Sequence, residues 1–288
     1  PDETTAAARL PSPDRAARPS GDRAHRGART RVAFISSEAH TPGHNYRVSH
    51  VAASLPQRHF ETTVLLLPHL ASHAPELESI DVLWIWRAPY SNELAVVIDV
   101  ARAQSAAIVY DADDLLFRPD LARAEVIDGI RTLGFRTRDV RDQFESMQQA
   151  LLEADHCTAP TATLTRQFGV YAKPTTVVPN TFNGSFLRSA RAGFLRRASA
   201  DEQIVRIGYA TGSFTHQRDL AEAVPALAQV LREHPDARFV TFEGGVDFDE
   251  FPDFDGLRDQ IEMRPRVPLE QLPDEYARFD LNIAPLQV

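Results

Sequence analysis

Short apolar runs alternate with amphipathic stretches from residue 31 to the end of the chain. Each run has the length of a buried strand, and the stretches between them carry apolar residues at helical spacing. One example is the set Leu94, Val97, Ile98 and Ala101, which follows a capping Ser91. The pattern predicts strands at residues 32–36, 62–67, 82–86, 106–110, 157–159, 175–178, 204–209, 238–242 and 281–284, with a further candidate at 261–264.

Alternating strands and helices indicate parallel sheets, because parallel strands need long crossovers and continuous apolar strands need cover on both faces. The alternation restarts near residue 199. We therefore predict an α/β fold of two Rossmann-like, doubly wound domains, at residues 31–198 and 199–288. The second domain looks incomplete, since such domains usually have about five or six strands. We expect the natural chain to continue past Val288.

Residues 1–30 differ in composition from the rest of the chain. They are rich in Ala, Arg, Pro, Asp and Ser, and Leu10 is their only large aliphatic residue. Such a segment buries too little apolar surface to offset the entropy lost on ordering. We predict a disordered tail.

Composition excludes several classes of protein. The chain has 288 residues, a formal net charge of −9 and 43% hydrophobic residues, which is ordinary for a globular protein. The acidic balance argues against nucleic acid as a partner. No apolar run approaches the roughly 20 residues of a membrane-spanning helix. Cys157 is the only cysteine, so an internal disulfide is impossible, and a cytoplasmic location fits best.

Candidate chemistry in the first predicted domain lies just after its strands, where ligands bind in open α/β sheets. Gly43 and Arg47 follow the first strand, and Arg87 follows the third. Asp111, Asp113 and Asp114 follow the fourth, and so many carboxylates close together need positive charge nearby. Three interpretations stay open: a helix cap, a cleft wall neutralised by arginine, or a Mg²⁺ or Mn²⁺ site.

In the second predicted domain, the segment GYATGSFTHQRD follows the first strand and opens a helix. Gly212 and Ser213 can expose backbone N–H groups, and His216 and Arg218 add donors, so this segment is a candidate pyrophosphate cradle. Neither a Walker A motif nor a GxGxxG motif is present in the sequence. Arg266 lies in RPRVPL, before the last predicted helix, where it can border a nucleobase.

Taken together, these segments resemble the GT-B glycosyltransferases of the large family 4, in the bacterial branch that builds cell-surface polysaccharides. The resemblance is carried by the order and spacing of loose motifs that cover most of residues 31–288. They are RVAFISSEAHTPGHNYRVSHVAASL, DVLWIWRAPYSNELAVVIDVARAQSAAIVYDADDLLF, CTAPTATLTRQF, VVPNTFN, RIGYATGSFTHQRDLAEAVPALAQVL and RVPLEQLPDEYARFDLNIAPL.

The resemblance implies a transferase whose first domain takes a saccharide or lipid-linked acceptor and whose second domain binds a nucleotide-diphosphate sugar. It implies retention of anomeric configuration, no metal and no other cofactor. Lipid-linked acceptors allow peripheral contact with the inner face of the membrane. The implied donor residues are Gly212, Ser213, His216 and Arg218 at the diphosphate, with Arg266 and Val267 near the base. The implied substrate residues are Gly43, Arg47 and Asn180, and the catalytic candidates are Arg87, Asp111, Asp113 and Asp114.

Two departures from the family pattern stand out. The diphosphate segment has Arg218 but no lysine, and the acidic motif that holds the donor ribose would lie beyond Val288. Two alternative functions therefore remain. One is a metal-dependent glycosyltransferase that uses Asp111 and Asp113 as a DxD motif. The other is a non-catalytic nucleotide-sugar or glycan-binding module of a larger polysaccharide-assembly protein. A nucleotide-sugar epimerase or dehydrogenase would need a dinucleotide fingerprint.

Overall fold

A computed structural model describes residues 29–39, 41–67, 77–197 and 204–286. The predicted disordered tail falls almost entirely outside these residues. The described part of the chain contains two parallel sheets, one in each half. The prediction of an α/β fold with two Rossmann-like, doubly wound domains is confirmed.

The first sheet has six strands in the order β2-β1-β3-β4-β5-β6, all parallel. Its order reverses between β1 and β3, which makes the carboxyl ends of these two strands the topological switch point, where ligands bind in such sheets. The strands are β1 (Thr30–Ser36), β2 (Phe60–Leu66), β3 (Val82–Trp86), β4 (Ala107–Asp111), β5 (His156–Ala159) and β6 (Thr175–Val177).

Helices cover both faces of this sheet. In β1, Ala33 and Ile35 pack against the cluster beneath α3 and α5, while Val32 and Phe34 point to the opposite face, against α2. This alternation follows from the two-residue period of a strand. The helices of the first half are α1 (Pro42–His44), α2 (His50–Ser54), α3 (Asn92–Ala103), α4 (Asp128–Thr132), α5 (Thr137–Glu153), α6 (Ala162–Phe168) and α7 (Gly184–Arg197). A π-helical segment, Asn45–Ser49, joins α1 to α2.

The second sheet has four parallel strands in the order β10-β7-β8-β9. Its switch point lies between β7 and β10. Phe239 of β8 packs on one face with α9, and Val240 packs on the other face beside α10. The elements are β7 (Val205–Tyr209), α8 (Gln217–Ala221), α9 (Val224–Glu233), β8 (Ala237–Phe242), β9 (Ile261–Arg264), α10 (Leu272–Tyr276) and β10 (Leu281–Asn282).

Helix α7 precedes the second sheet. We assigned residues 31–198 to the first predicted domain, and the end of that range, Gly184–Arg197, forms this helix. Gly193 of α7 packs against Ala277 and Asp274, and a Cβ at this position would lie 2.7 Å from the Ala277 Cβ. Among the described residues, no helix is long and apolar enough to cross a membrane.

Candidate functional site

One arginine faces three carboxylates where β1, β3 and β4 end. Arg87 Nη1 lies 3.2 Å from Asp114 Oδ2 and 3.6 Å from Asp113 Oδ1. Its Nη2 lies 3.7 Å from Glu38 Oε1. We call these four residues the Arg87 cluster. The structure thus brings three of the predicted catalytic candidates together at the switch point of the first sheet, and adds Glu38, which sequence reasoning did not single out.

The backbone of Arg87 is strained. Its φ of 45° lies in the left-handed region, which residues other than glycine rarely adopt. Two hydrogen bonds hold it there, from Arg87 N to Asp111 O (3.1 Å) and from Ser37 Oγ to Arg87 O (2.9 Å). The buried Arg87 Nε has no hydrogen-bond partner among the described residues. Strain held by surrounding structure and an unused buried donor are both typical of ligand sites.

Trp86 forms the floor beside the Arg87 cluster. Its ring is fully buried, and its Nε1 donates to Asp113 Oδ1 at 3.2 Å. Gly43 lies directly over this ring, and a Cβ there would be 2.8 Å from Trp86 Cζ2. The predicted substrate residue Gly43 therefore permits a close approach of backbone to the indole. His44, whose Nδ1 lies 2.9 Å from Ser36 Oγ, meets the same ring edge-on.

Arg47 and Asp111 lie in the interior, not in the cleft. Both side chains are fully buried, with Arg47 Nη2 2.5 Å from Asp111 Oδ1 and Nε 2.9 Å from Oδ2. Thr158 Oγ1 donates to Asp111 Oδ1 at 2.6 Å. Arg47 Nη1 also donates to Val178 O and to Asn180 Oδ1, the latter at 3.2 Å. The pairing has a physical cause: a buried carboxylate needs a charged partner, and Arg47 supplies it.

Asp111 and Asp113 have different partners, although they are two residues apart. Asp111 points to Arg47 and Thr158, whereas Asp113 points to Trp86 and Arg87. Burial raises the pKa of Asp111, and Arg47 and Thr158 oppose that rise. The two carboxylates of the proposed DxD motif therefore have separate partners. No group of three or more His, Cys, Asp or Glu in the described ranges could hold a metal ion.

The loops after β7, β8 and β9 form the corresponding edge of the second sheet. Gly212 lies in open space, with no atom within 4 Å of where its Cβ would be. Ser213 caps the short 3₁₀ turn Phe214–His216. Gly245 approaches the Thr211 carbonyl so closely that a Cβ would lie 2.9 Å from its oxygen. Gly212 is exposed whereas Gly245 is buried, so it is Gly212 that leaves backbone accessible after β7, at the switch point of the second sheet.

Arg266 and Val267, the residues predicted near the base, lie at the same edge. Arg266 Nε donates to Glu243 O (2.8 Å), and its Nη2 donates to Gly244 O (2.9 Å). Its guanidinium therefore fixes the loop after β8, while Val267 is half-buried. Both residues follow β9, which pairs with β8, and β8 in turn pairs with β7, so one strand separates them from the loop that contains Gly212 and Ser213.

The Arg218 side chain contacts residues of the first domain. Its Nη1 donates to Glu125 O (2.5 Å), and its Nε lies 3.8 Å from Asp128 Oδ1. Asp128 is buried and also accepts from Gln217 N (2.7 Å) and from Arg131 Nη2 (2.7 Å). We call these residues the Asp128 clasp. We predicted that Arg218 contacts the diphosphate. In the structure its guanidinium instead contacts Asp128 and Glu125, which links the start of α8 to α4 and to the segment before it.

The two domains meet where Gly129 of α4 approaches Thr215, since a Cβ at Gly129 would lie 3.2 Å from Thr215 Cγ2. Asp114 keeps 57% of its side-chain surface accessible, yet it lies inside the cleft, where desolvation raises its pKa. The positive charge of Arg87 opposes that rise in pKa, and His216 acts in the same direction. His216 Nδ1 lies 2.9 Å from Asp219 Oδ2. His216 directly follows Thr215 in the chain, so this predicted residue lies at the junction between the two domains.

Comparison with known proteins shows the fold. No protein-family model and no curated protein sequence matches this chain. A solved structure assigned as a UDP-N-acetylglucosamine 2-epimerase from Listeria monocytogenes is similar over 88% of this chain and 74% of its own, with 10% identity and a TM-score of 0.51. A glycosyltransferase from Rickettsia africae is similar over 89% and 73%, with 10% identity and a TM-score of 0.50. The chain shares the two-domain architecture of these proteins.

Proposed function

We propose that this protein is a glycosyltransferase that moves a sugar from a nucleoside-diphosphate donor to a hydroxyl acceptor. The observation that carries the proposal is the junction of the two domains, where the Asp128 clasp and the approach of Gly129 to Thr215 hold the segment after β7 against the first domain. Ligands of open α/β sheets bind at the switch-point edge of the sheet. The two sheets therefore provide two such edges, one for the sugar donor and one for the acceptor.

The second domain is the donor side in this proposal. Exposed backbone around Gly212 and Ser213 can donate to a diphosphate, and negative charge grows there when the nucleoside diphosphate leaves. His216 lies in the same loop, at the end of the turn Phe214–His216, and adds a ring nitrogen. Arg266 and Val267 border the nucleobase. Arg218 contributes through the Asp128 clasp, by holding this loop against the first domain.

The Arg87 cluster is the acceptor side. Arg87 keeps 19% of its side-chain surface accessible, and its guanidinium faces three carboxylates, so it can donate to an oxygen of the acceptor or of the transferred sugar. In the reaction, the acceptor oxygen bonds to the anomeric carbon while the bond from that carbon to the diphosphate breaks. The acceptor proton passes to the leaving phosphate oxygen, on the same face, and configuration is retained.

We propose that no metal takes part in transfer. The support is that both carboxylates of the DxD alternative are paired with arginine, Asp111 with Arg47 and Asp113 with Arg87. A fold shared with an epimerase structure does not by itself separate transfer from epimerisation, because one fold hosts many activities. The facing acceptor edge favours transfer. Binding without turnover would instead support the binding-module alternative.

We also propose a bacterial, cytoplasmic role in polysaccharide biosynthesis, with peripheral membrane contact. Helix α7 supports the contact: Leu187 and Phe194 are exposed beside Arg188 and Arg191, a combination that suits an anionic lipid surface. The chain is expected to co-sediment with phosphatidylglycerol vesicles at low salt and not with phosphatidylcholine vesicles. Equal behaviour with both would contradict this contact.

A pair of glycine variants tests the donor site. Gly212→Ala and Gly169→Ala each place a methyl group where no atom lies within 4 Å, so neither should change the melting temperature. Gly212→Ala intrudes on the proposed diphosphate position, whereas Gly169 lies at the end of α6, outside the cleft. We expect Gly212→Ala alone to weaken binding of the stabilising nucleotide at least fivefold in calorimetric titration. Equal affinities in both variants would contradict the donor site.

A further inference from the structure

An apolar cavity opens beside the Arg87 cluster. It has a volume of about 510 Å³, within the range of small-molecule sites. Its polar wall is formed by Asp113 and Asp114, and its floor includes the buried ring of Phe144. The remaining wall is mainly aliphatic and includes Leu115, Leu116, Leu121, Val126, Ile127 and Leu164.

The walls come from three separate elements: the connection after β4, helix α5 and helix α6. The aliphatic side chains lining it are only half-buried or exposed, and Val126 keeps 39% of its surface accessible. Apolar groups gathered around a concave space gain stability when an apolar partner removes them from water. The cavity therefore has the composition of a binding site for an apolar group.

Its position relates it to the proposed reaction. Asp113 and Asp114 belong to the cavity wall and to the Arg87 cluster at the same time. A ligand seated among the leucines thus presents its polar end to the acceptor side of the cleft. The two carboxylates at that end repel anions and can accept a hydrogen bond from a hydroxyl.

From this geometry we propose that the acceptor carries a neutral apolar group, aromatic or branched aliphatic, which occupies this cavity and places the accepting hydroxyl beside Asp113 and Asp114. This inference rests on the proposed glycosyl transfer and names the chemistry of its acceptor. A bare, fully polar saccharide would leave the leucine wall in water. An acceptor with a phosphate at the cavity mouth would meet the two carboxylates.

The test uses two probes that share one apolar body, 4-phenylbutan-1-ol and 4-phenylbutanoate, titrated into the full chain and followed by ligand-observed NMR. We expect the neutral alcohol to bind at least fivefold more tightly than the anion. Val126→Asp should weaken binding of the alcohol at least fivefold. Val100→Asp is the matched control, because Val100 is equally accessible at 37% but lies on α3, away from the cavity.

Equal binding of alcohol and anion would overturn the proposal, as would an unchanged alcohol affinity in Val126→Asp. Loss of binding in both valine variants would show that added charge, rather than the cavity, is responsible, and would also overturn it. The test does not depend on the donor. If a nucleotide binds and Gly212→Ala weakens that binding, but the alcohol does not bind, the acceptor inference fails alone. If the alcohol binds and no nucleotide does, the proposed transfer fails instead.

Discussion

Replacing Arg47 by methionine is expected to destabilise the first domain severely. The substitution keeps most of the volume and the apolar stem but removes the charge. It leaves the Asp111 carboxylate buried with Thr158 as a remaining side-chain donor. The variant also loses the hydrogen bonds from Arg47 to Val178 O and Asn180 Oδ1. These bonds link the π-helical segment Asn45–Ser49 to the residues after β6.

The magnitude follows from burial. Both side chains of the pair are fully inaccessible, and removing one partner of a buried ion pair costs about 3–5 kcal/mol. With a urea m-value of about 2 kcal/mol/M, this corresponds to a midpoint lowered by about 1.5–2.5 M. The double variant Arg47→Met with Asp111→Leu removes both charges, and it should recover part of the loss, because an apolar pair of similar volume is tolerated.

Tryptophan fluorescence is the natural assay. The chain has two tryptophans, Trp84 and Trp86, and both lie in β3, so the signal reports the first domain selectively. Arg136→Met is the control, since Arg136 and its partner Asp139 are largely exposed, and its midpoint should not move. The reasoning is refuted if Arg47→Met unfolds at the same urea concentration as Arg136→Met, or if the double variant is less stable than the single one.

Three further outcomes are expected. Burial raises the pKa of Cys157 to about 12, which lowers its thiolate fraction at pH 8. Labelling by a disulfide reagent should therefore be slower in the native chain than in urea by a factor on the order of 10³, and similar rates would contradict the burial of Cys157. Gly208→Ala places a methyl group 2.1 Å from the Phe279 ring, so it should destabilise the second domain by about 1–3 kcal/mol in urea unfolding followed by circular dichroism, and an unchanged midpoint would show that the ring moves away freely. Asp128→Ala removes the acceptor of Gln217 N and should increase the radius of gyration in X-ray scattering, with Asp128→Asn showing a smaller change; an unchanged radius in both would mean that the clasp does not hold the domains together.

The central strands were predictable because they are rich in apolar residues that face the core. The run 82–86 is apolar at every position and 238–242 at three of five, and the structure has strands at Val82–Trp86 and Ala237–Phe242. The carboxyl ends of parallel strands then follow from the strand order alone. For the same reason, the sequence could indicate that Arg87, Asp113 and Asp114 lie at one edge.

Partnerships between distant residues could not be predicted in the same way. Arg47 and Asp111 are 64 positions apart, and nothing local connects them. One feature of the sequence could have indicated the burial of Arg47. Its neighbours Val48, Val51 and Ala52 are apolar and belong to the core, which favours an arginine that faces the interior over one that faces a ligand. Helix α7 was missed because its outward face carries Leu187 and Phe194, so its apolar positions follow no single stripe.

The Asp128 clasp was beyond sequence reasoning for a related reason. Asp128 lies in the connection between β4 and α5, where the apolar periodicity is weak, and its partners Gln217 and Arg218 belong to the other domain. Only the relative position of the two sheets decides that Arg218 turns to this carboxylate.

The most direct test of the central claim is calorimetric titration of the full chain with UDP, GDP, dTDP, ADP and CMP, each in the presence of EDTA and again with Mn²⁺. The account predicts that one nucleoside diphosphate binds with equal affinity in both conditions. It also predicts that the corresponding nucleotide sugar protects the chain against thermal unfolding. Binding that requires Mn²⁺ and disappears in Asp113→Ala would contradict the metal-independent site. Absence of binding by every nucleotide would contradict the glycosyltransferase itself.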